Sequence, residues 1–281
     1  MLPWMLGALL FFAFPLLQSF LFSFQEVKIT DQIAASWVGF RHYINAFTKD
    51  PEYIRTLMDS MVNMLYEVPI IIIYSLYMAI IINQKFKGRF FFRAMMFLPV
   101  VVSSGIVIAI MKEDLFAQSV VKQGGSDPAF LFQSTGIEDL FIRAGIAPAA
   151  VQFVTGIINR IFDTLWKSGV QILLFLSALQ SVPDSAYEAA SVEGSTAWET
   201  FWLITFPLVS PTILVNIIYT IVDSFNDYGN PVLRSINQMA FVQFRYSYSA
   251  AMAWIYSIAV LIIIGLVQLI LSRKVFYMSE N

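Results

Sequence analysis

The sequence predicts an all-α protein that crosses a membrane six times, and three observations carry that reading. Of its 281 residues 58% are hydrophobic and only 13% charged, whereas a soluble domain is about half apolar and about a quarter charged. Several apolar runs reach the roughly 20 residues a helix needs to cross a ~30 Å hydrocarbon core. The residue types of soluble catalytic centres are scarce. Cysteine is absent and His42 is the single histidine, which excludes disulfides, thiolate or histidine metal sites and His-based triads.

The spans follow in order. The first, about Pro3–Phe24, lacks both the basic leader and the small-residue cleavage site of a signal peptide, so it reads as a membrane helix. The others are about Met61–Ile82, Ala94–Met111, Ile161–Ser181, Leu208–Gly229 and Met252–Leu271. The net charge of −2 decides little, because orientation follows the placement of Lys and Arg. "NQKFKGRFFFR" after the second span carries Lys85, Lys87, Arg89 and Arg93 without an acid, and is therefore cytoplasmic. "SRKVFYMSEN", with Arg273 and Lys274, falls on the same side by parity, so both termini are expected inside. Gln25–Ser60, Lys112–Arg160 and roughly Asn230–Ala251 then face outward, the first two as small amphipathic helices and a cap.

Parity also places "YEAASVEGSTAWETFWLITFP" inside, although Glu188, Glu193 and Glu199 have no Lys or Arg beside them. An acidic inner loop runs against the charge rule and suggests a covering of protein. Pro183 and Asp184 end the fourth span, and Ser185 with Glu188 has the spacing of a capping box that opens a helix through Glu193. Gly194 is placed for a left-handed C-cap. Thr196 with Glu199 forms a second capping box, whose helix runs to Pro207 at the start of the fifth span.

This stretch resembles the EAA loop of binding-protein-dependent ABC importer permeases: Glu188-Ala189-Ala190, then Gly194, Ile204 and Pro207 in the family's register. Phe206 stands where that motif has Leu, and Glu193 where many sugar permeases have Asp. The resemblance covers nearly the whole chain and points to the carbohydrate-uptake branch, as a first subunit of the maltose-system type. "FPLLQSFLFSF", "WVGFRHYINAFTKDPEY", "GRFFFRAMMFLPVVVSSGIV" and "LWKSGVQILLFLSALQSVPDSAYEAASVEG" are similar to its segments, with His42 in place of an Asn and no Trp near the end of span three.

The resemblance implies a single transmembrane permease domain over residues 1–281, its core roughly 57–272 and residues 1–56 the first span and an outward segment. It implies a bacterial cytoplasmic membrane location and a heterodimer with a second, homologous permease subunit. A cytoplasmic ATPase dimer and an extracellular solute-binding protein complete the assembly, and a sugar or oligosaccharide is the solute. ATP and Mg belong to the partner ATPase, and this chain binds no cofactor of its own. It contains no G-x-x-x-x-G-K-[ST] phosphate loop; Gly124-Gly125 reads as a turn. In the family the EAA helix docks in an ATPase cleft. Glu188 would be its polar anchor, Ala189 and Ala190 a close-packing face, and Gly194 the turn, with Ile204 and Pro207 completing the motif. Rigid-body rocking about a fixed site then alternates access.

Polar groups inside apolar spans mark a pathway or a buried pair. Span two offers Asn63, Tyr66 and Glu67, with Pro69 loosening the helix. Span five offers Asn216, Tyr219, Asp223, Asn226, Asp227 and Tyr228, of which Asn216, Tyr219, Asp223 and Asn226 share one helical face. Trp254 and Tyr256 lie near the outer end of span six. Aromatic faces and amide or carboxylate acceptors suit a neutral sugar, whereas an acidic sugar calls for Arg or Lys. Lys167 is the main buried base, so the balance tilts to a neutral solute. Interhelical hydrogen bonds use the same residue types. Trp254 and Tyr256 read equally as an interfacial aromatic belt.

Two other classes fit parts of the sequence. A secondary transporter driven by an ion gradient could use Glu67, Asp223 or Asp227 as its ion site, but gives no account of the capped EAA helix. An intramembrane enzyme would rest on Asp223 and Asp227 alone.

Overall fold

The computed structural model describes residues 2–29, 33–84, 87–88, 91, 148–227 and 229–272. The expected third span Ala94–Met111, most of the outward segment Lys112–Arg160, Tyr228, and Lys85, Arg89, Arg93, Arg273 and Lys274 lie outside the described residues.

The described chain is largely helical, as its composition requires. Helix α1 (Leu2–Ala8) runs through a π-helical turn at Leu9–Ala13 into α2 (Phe14–Phe22). Strands β1 (Gln25–Ile29) and β2 (Ile33–Trp37) follow, then α3 (Arg41–Thr48) and the long α4 (Pro51–Asn83). Helices α5 (Pro148–Lys167), α6 (Gly169–Ser181), α7 (Asp184–Val192) and α8 (Ala197–Thr200) lead into a π-helical turn at Phe201–Thr205. Helices α9 (Phe206–Asn226) and α10 (Pro231–Asn237), a π-helical turn at Gln238–Val242, and α11 (Tyr246–Leu271) complete the described elements. Four helical stretches among the described residues are long and apolar enough to cross a membrane. They are Pro3–Phe22, Pro51–Asn83, one opening at Ala197, and Tyr246–Leu271, while Gly169–Ser181 is a shorter apolar helix.

The hairpin corrects the all-α expectation for the segment after the first span. β1 and β2 pair antiparallel, with Gln25 opposite Trp37 and Val27 opposite Ala35. Glu26-Val27-Lys28-Ile29 alternates polar and apolar residues, which is the period of a strand and not of an amphipathic helix. The Val27 N–H donates to Ser247 Oγ at 2.9 Å, which ties the strand to the start of α11.

Span boundaries also move. α4 begins at Pro51, ten residues before the expected Met61. Asp50 explains this early start: its Oδ1 accepts the Tyr53 N–H at 3.0 Å, in the manner of a helix cap. The fourth span is two helices, because the chain is interrupted at Ser168, whose hydroxyl bonds back to the Thr164 carbonyl. Such back-bonding bends helices.

Pro207 does not separate the loop helix from span five, since helical structure runs from Ala197 into α9. The π-helical turn Phe201–Thr205 ends two residues before Pro207, and the turn Leu9–Ala13 ends two residues before Pro15. A proline clashes with the carbonyl four residues back, and an inserted wide turn is one of the few ways a helix adjusts locally. Pro211 poses the same problem inside α9 by leaving the Pro207 carbonyl without its N–H partner. Ser210 Oγ donates to that carbonyl at 2.7 Å. Ser210→Ala is therefore expected to cost about 1 kcal/mol. A thermal-unfolding scan in detergent would register this as a loss of about 2–4 °C.

The chain forms two compact units. One comprises Met1–Met64 and Val222–Leu266, the other Leu65–Ile221 and Val267–Asn281. The core of the first contains Tyr53, Val232, Met252 and Tyr256, with the Tyr53 hydroxyl donating to the Met252 carbonyl at 2.7 Å. The core of the second contains Ile71, Ala79, Ile172, Phe175, Val209 and Ile221.

Candidate functional site

The acidic loop folds as a capped helical hairpin within the second unit. α7 opens at Asp184 with Pro183, in extended conformation, as its N-cap. The expected Ser185/Glu188 capping box is absent, because Ser185 already lies inside the helix and its hydroxyl has no first-turn N–H to receive. The other end forms as the sequence indicates. Gly194 has φ +76, the Ser195 N–H bonds the Ala190 carbonyl at 3.0 Å, and the Gly194 N–H bonds the Ser191 carbonyl at 3.1 Å. This is a Schellman closure, which glycine enters without the penalty a Cβ would bring. Thr196 and Glu199 make the second box reciprocally: Glu199 Oε2 accepts the Thr196 N–H at 2.8 Å, and Thr196 Oγ1 accepts the Glu199 N–H at 3.3 Å.

The two alanines of the loop part company. Ala190 is buried against the protein, while Ser185, Glu188 and Ala189 are exposed on the other side of α7. Val192 continues that outer face and is 89% exposed, an apolar residue four positions after Glu188 and three after Ala189. Val192 is not among the sequence-predicted site residues, and its helical spacing from Glu188 is the signal that places it on this face. Ile204 and Pro207 are half-buried on the helix that leads away from the hairpin.

Behind α7 is a cleft of about 410 Å³ lined by the last turn of α4 (Ile80 and Asn83), by Leu179, and by Tyr187, Ser191 and Thr205. Tyr187 and Thr205 share a hydroxyl hydrogen bond of 3.2 Å across it. The cleft is thus framed by the hairpin, the ends of α4 and α6, and the π-helical turn that precedes α9.

The solute-path candidates are distributed unevenly. Asn63 and Tyr66 are exposed, and Glu67 Oε2 lies 3.6 Å from Lys167 Nζ of α5. On α9, Asn216 is fully buried, Tyr219 half-buried, and Asp223 and Asn226 exposed. Asn226 Nδ2 bonds back to the Val222 carbonyl at 3.0 Å. Asp227 Oδ1 accepts the Gly229 N–H at 2.9 Å in the turn that ends α9. Trp254 meets Phe20 edge-on at 5.0 Å, and Tyr256 is fully buried, stacked on Phe225 at 4.8 Å. The Tyr256 hydroxyl accepts from Asn230 Nδ2 at 2.6 Å.

Sequence reasoning also missed Gln171 and Thr220. Both are buried, and Gln171 Nε2 donates to Thr220 Oγ1 at 3.1 Å, which itself donates to the Asn216 carbonyl at 2.7 Å. Gln171 Oε1 and both side-chain amide atoms of Asn216 have no hydrogen-bond partner among the described residues.

No family model matches the chain. It is 28% identical over 291 residues to the probable ABC transporter permease protein YesP of Bacillus subtilis (strain 168), across 98% of this chain and 88% of that protein. It is 31% identical over 205 residues to the multiple sugar-binding transport system permease protein MsmF of Streptococcus mutans, across 72% of this chain and 65% of that protein. The chain thus spans just under two thirds of MsmF. Among solved structures it is similar to a bacterial ABC transporter involved in import of the acidic polysaccharide alginate, with TM-score 0.65, 20% identity, and coverage of 97% of this chain and 93% of that one. The same is true of the alginate transporter in complex with an alginate pentasaccharide-bound periplasmic protein, with TM-score 0.63, 19% identity, and coverage of 97% and 92%. At these identities the likeness is one of fold.

Proposed function

We propose, from the premise that this chain is a homologue of ABC transporter permeases for sugar and oligosaccharide uptake, that it forms one half of the translocation path of a sugar importer. It spans the bacterial cytoplasmic membrane six times with both termini inside, beside a second permease subunit. Hydrolysis of ATP is the work of a separate ATPase dimer, which this chain engages through α7. An extracytoplasmic binding protein delivers the solute, a reading supported by the periplasmic partner in the alginate transporter structure.

The observation that carries the coupling part is the loop itself. Glu188, Ala189 and Val192 stand exposed on one face of a short helix whose two ends are pinned by a Schellman closure and a neighbouring capping box. Exposed carboxylate, small and apolar groups on one rigid face fit a protein cleft better than they fit lipid headgroups. Asn63, Tyr66, Glu67, Asn216, Tyr219, Asp223, Asn226, Asp227, Tyr228, Trp254 and Tyr256 remain the candidates for the solute path.

The chain has no cysteine, so Ala189→Cys introduces a unique thiol. A short bismaleimide is expected to link it to the ATPase subunit in a transport-competent complex, with a yield that changes when ATP is bound. A complex that transports normally yet gives no such link, with thiol labelling confirmed, defeats the coupling assignment.

A further inference from the structure

Two hydroxyl pairs join residues that line the cleft behind α7. Ser195 and Thr200 meet at 2.9 Å inside the hairpin, five positions apart. Tyr187 and Thr205 meet at 3.2 Å, 18 positions apart, and connect α7 to the π-helical turn before α9. Among the described residues no other side-chain hydrogen bond or ion pair runs from α7 to that turn or to α9. Tyr187 is half-buried three positions before the buried Ala190, on the face of α7 turned away from Glu188 and Ala189. Thr205 is 8% exposed and closes the π-helical turn, where the second arm of the hairpin becomes α9. Wide turns of this kind are frequent at functional sites.

We propose that the Tyr187 hydroxyl is a positioning group of the transport cycle: by holding Thr205 it makes the wide turn and α9 follow α7 when α7 is displaced. The inference deepens the coupling role given to α7 above and rests on it. Burial of apolar surface is non-directional, so packing alone lets one helix slide over another. A hydrogen bond weakens steeply as its angle departs from linear, and therefore fixes a register. Beside this bond lies a cleft of about 410 Å³, so few packed atoms are present to do the same. Glu188, Ala189 and Val192 face the ATPase, and Tyr187, on the other face of the same short helix, carries their displacement to α9.

The test reads the distance between α7 and α9 in the complete complex with its ATPase. The chain has no cysteine, so Asp184→Cys on α7 and Val215→Cys on α9, both exposed, take nitroxide labels for pulsed electron resonance. With no other change, one distance is expected, the same without nucleotide and with ATP and vanadate. Tyr187→Phe keeps the ring and loses the bond. It is expected to add a second distance with ATP and vanadate, raising the ratio of detached to joined complexes about fivefold, the factor of one neutral hydrogen bond. Thr205→Val is expected to do the same and Thr205→Ser to keep the single distance. The double variant Tyr187→Phe/Thr205→Val should do no more than either change alone, because both remove one bond.

A distance that already changes with nucleotide in the protein carrying only the labels overturns the inference. So does a single, unchanged distance in Tyr187→Phe, or a double variant whose effects add. A bond that serves stability alone lowers assembly without making the distance depend on nucleotide, and that result overturns it too. If Tyr187→Phe does not assemble, Thr205→Val against Thr205→Ser decides, and equal behaviour of the two is the overturning result. The Ala189 cross-link is measured in the same preparation. Its absence overturns the coupling role and this inference together, whereas a cross-link with a failed distance test overturns this inference alone.

Discussion

Glu188→Arg combined with Val192→Lys is expected to abolish ATPase association and, with it, solute uptake. Both side chains are exposed on the outer face of α7, and Val192 is 89% exposed, so neither is needed to hold the hairpin. The new cations fall in the second half of the helix, where the C-terminal end of the macrodipole accepts them. The hairpin should therefore remain folded while the face it presents changes sign and loses its apolar tip. A hot-spot residue at the centre of an interface costs about 2 kcal/mol or more when truncated. Two of them together weaken association by roughly a thousandfold, at about 1.4 kcal/mol per tenfold. Copurification of the ATPase with the variant permease measures this directly, and circular dichroism confirms that the permease is folded. A folded variant that retains its ATPase and its uptake would remove α7 as the coupling element, whereas a secondary transporter would be indifferent to the change.

The largest stability effect is expected from Asn230→Ala. Asn230 is buried and serves three partners in the first unit. Its Oδ1 accepts the Val232 N–H at 2.9 Å as the N-cap of α10, and its Nδ2 donates to the Ser224 carbonyl at 3.1 Å and to the Tyr256 hydroxyl at 2.6 Å. Losing an N-cap costs about 1 kcal/mol, and each buried hydrogen bond about 1 kcal/mol more. The sum is about 3 kcal/mol, less any repacking of the gap. Tyr256→Phe removes only one of these bonds and should cost about a third as much. Chemical denaturation in mild detergent would rank the two variants, and equal losses would show that Asn230 acts only through Tyr256.

Asn230 also illustrates what a linear reading misses. In sequence it is a polar residue before a proline, and Asn-Pro indicates a turn. That its amide would reach a tyrosine 26 positions away depends on α11 being packed beside that turn. The burial of Tyr256, with its ring on Phe225 and its hydroxyl on Asn230, is likewise set by packing rather than by its place near the end of a span. Periodicity grouped Asn216, Tyr219, Asp223 and Asn226 on one face of a helix, and α9 is helical through all four. Their burial nonetheless falls from complete to slight, because neighbouring elements cover only part of the helix's length.

Local chemistry was the most legible. The Thr196/Glu199 box and the left-handed Gly194 involve residues at most a few positions apart, so their geometry is encoded within one turn of chain. Where two local signals competed, the nearer restraint prevailed. Pro183 fixed its own φ and took the N-cap, which left the Ser185/Glu188 spacing without a box.

By itself the sequence indicated apolar helices long enough to cross a membrane, a left-handed Gly194 and a Thr196/Glu199 capping box in the acidic loop, and a resemblance to ABC permeases. Those conclusions need only the hydrophobic effect counted along the chain and hydrogen bonds within a few residues. Tertiary structure alone decided that Ala190 turns inward while Val192 turns out, that Gln171 meets Thr220, and that Glu67 finds Lys167. The last two join groups far apart in sequence. Their meeting is set by how helices and strands pack, and no periodicity within a single element contains that information.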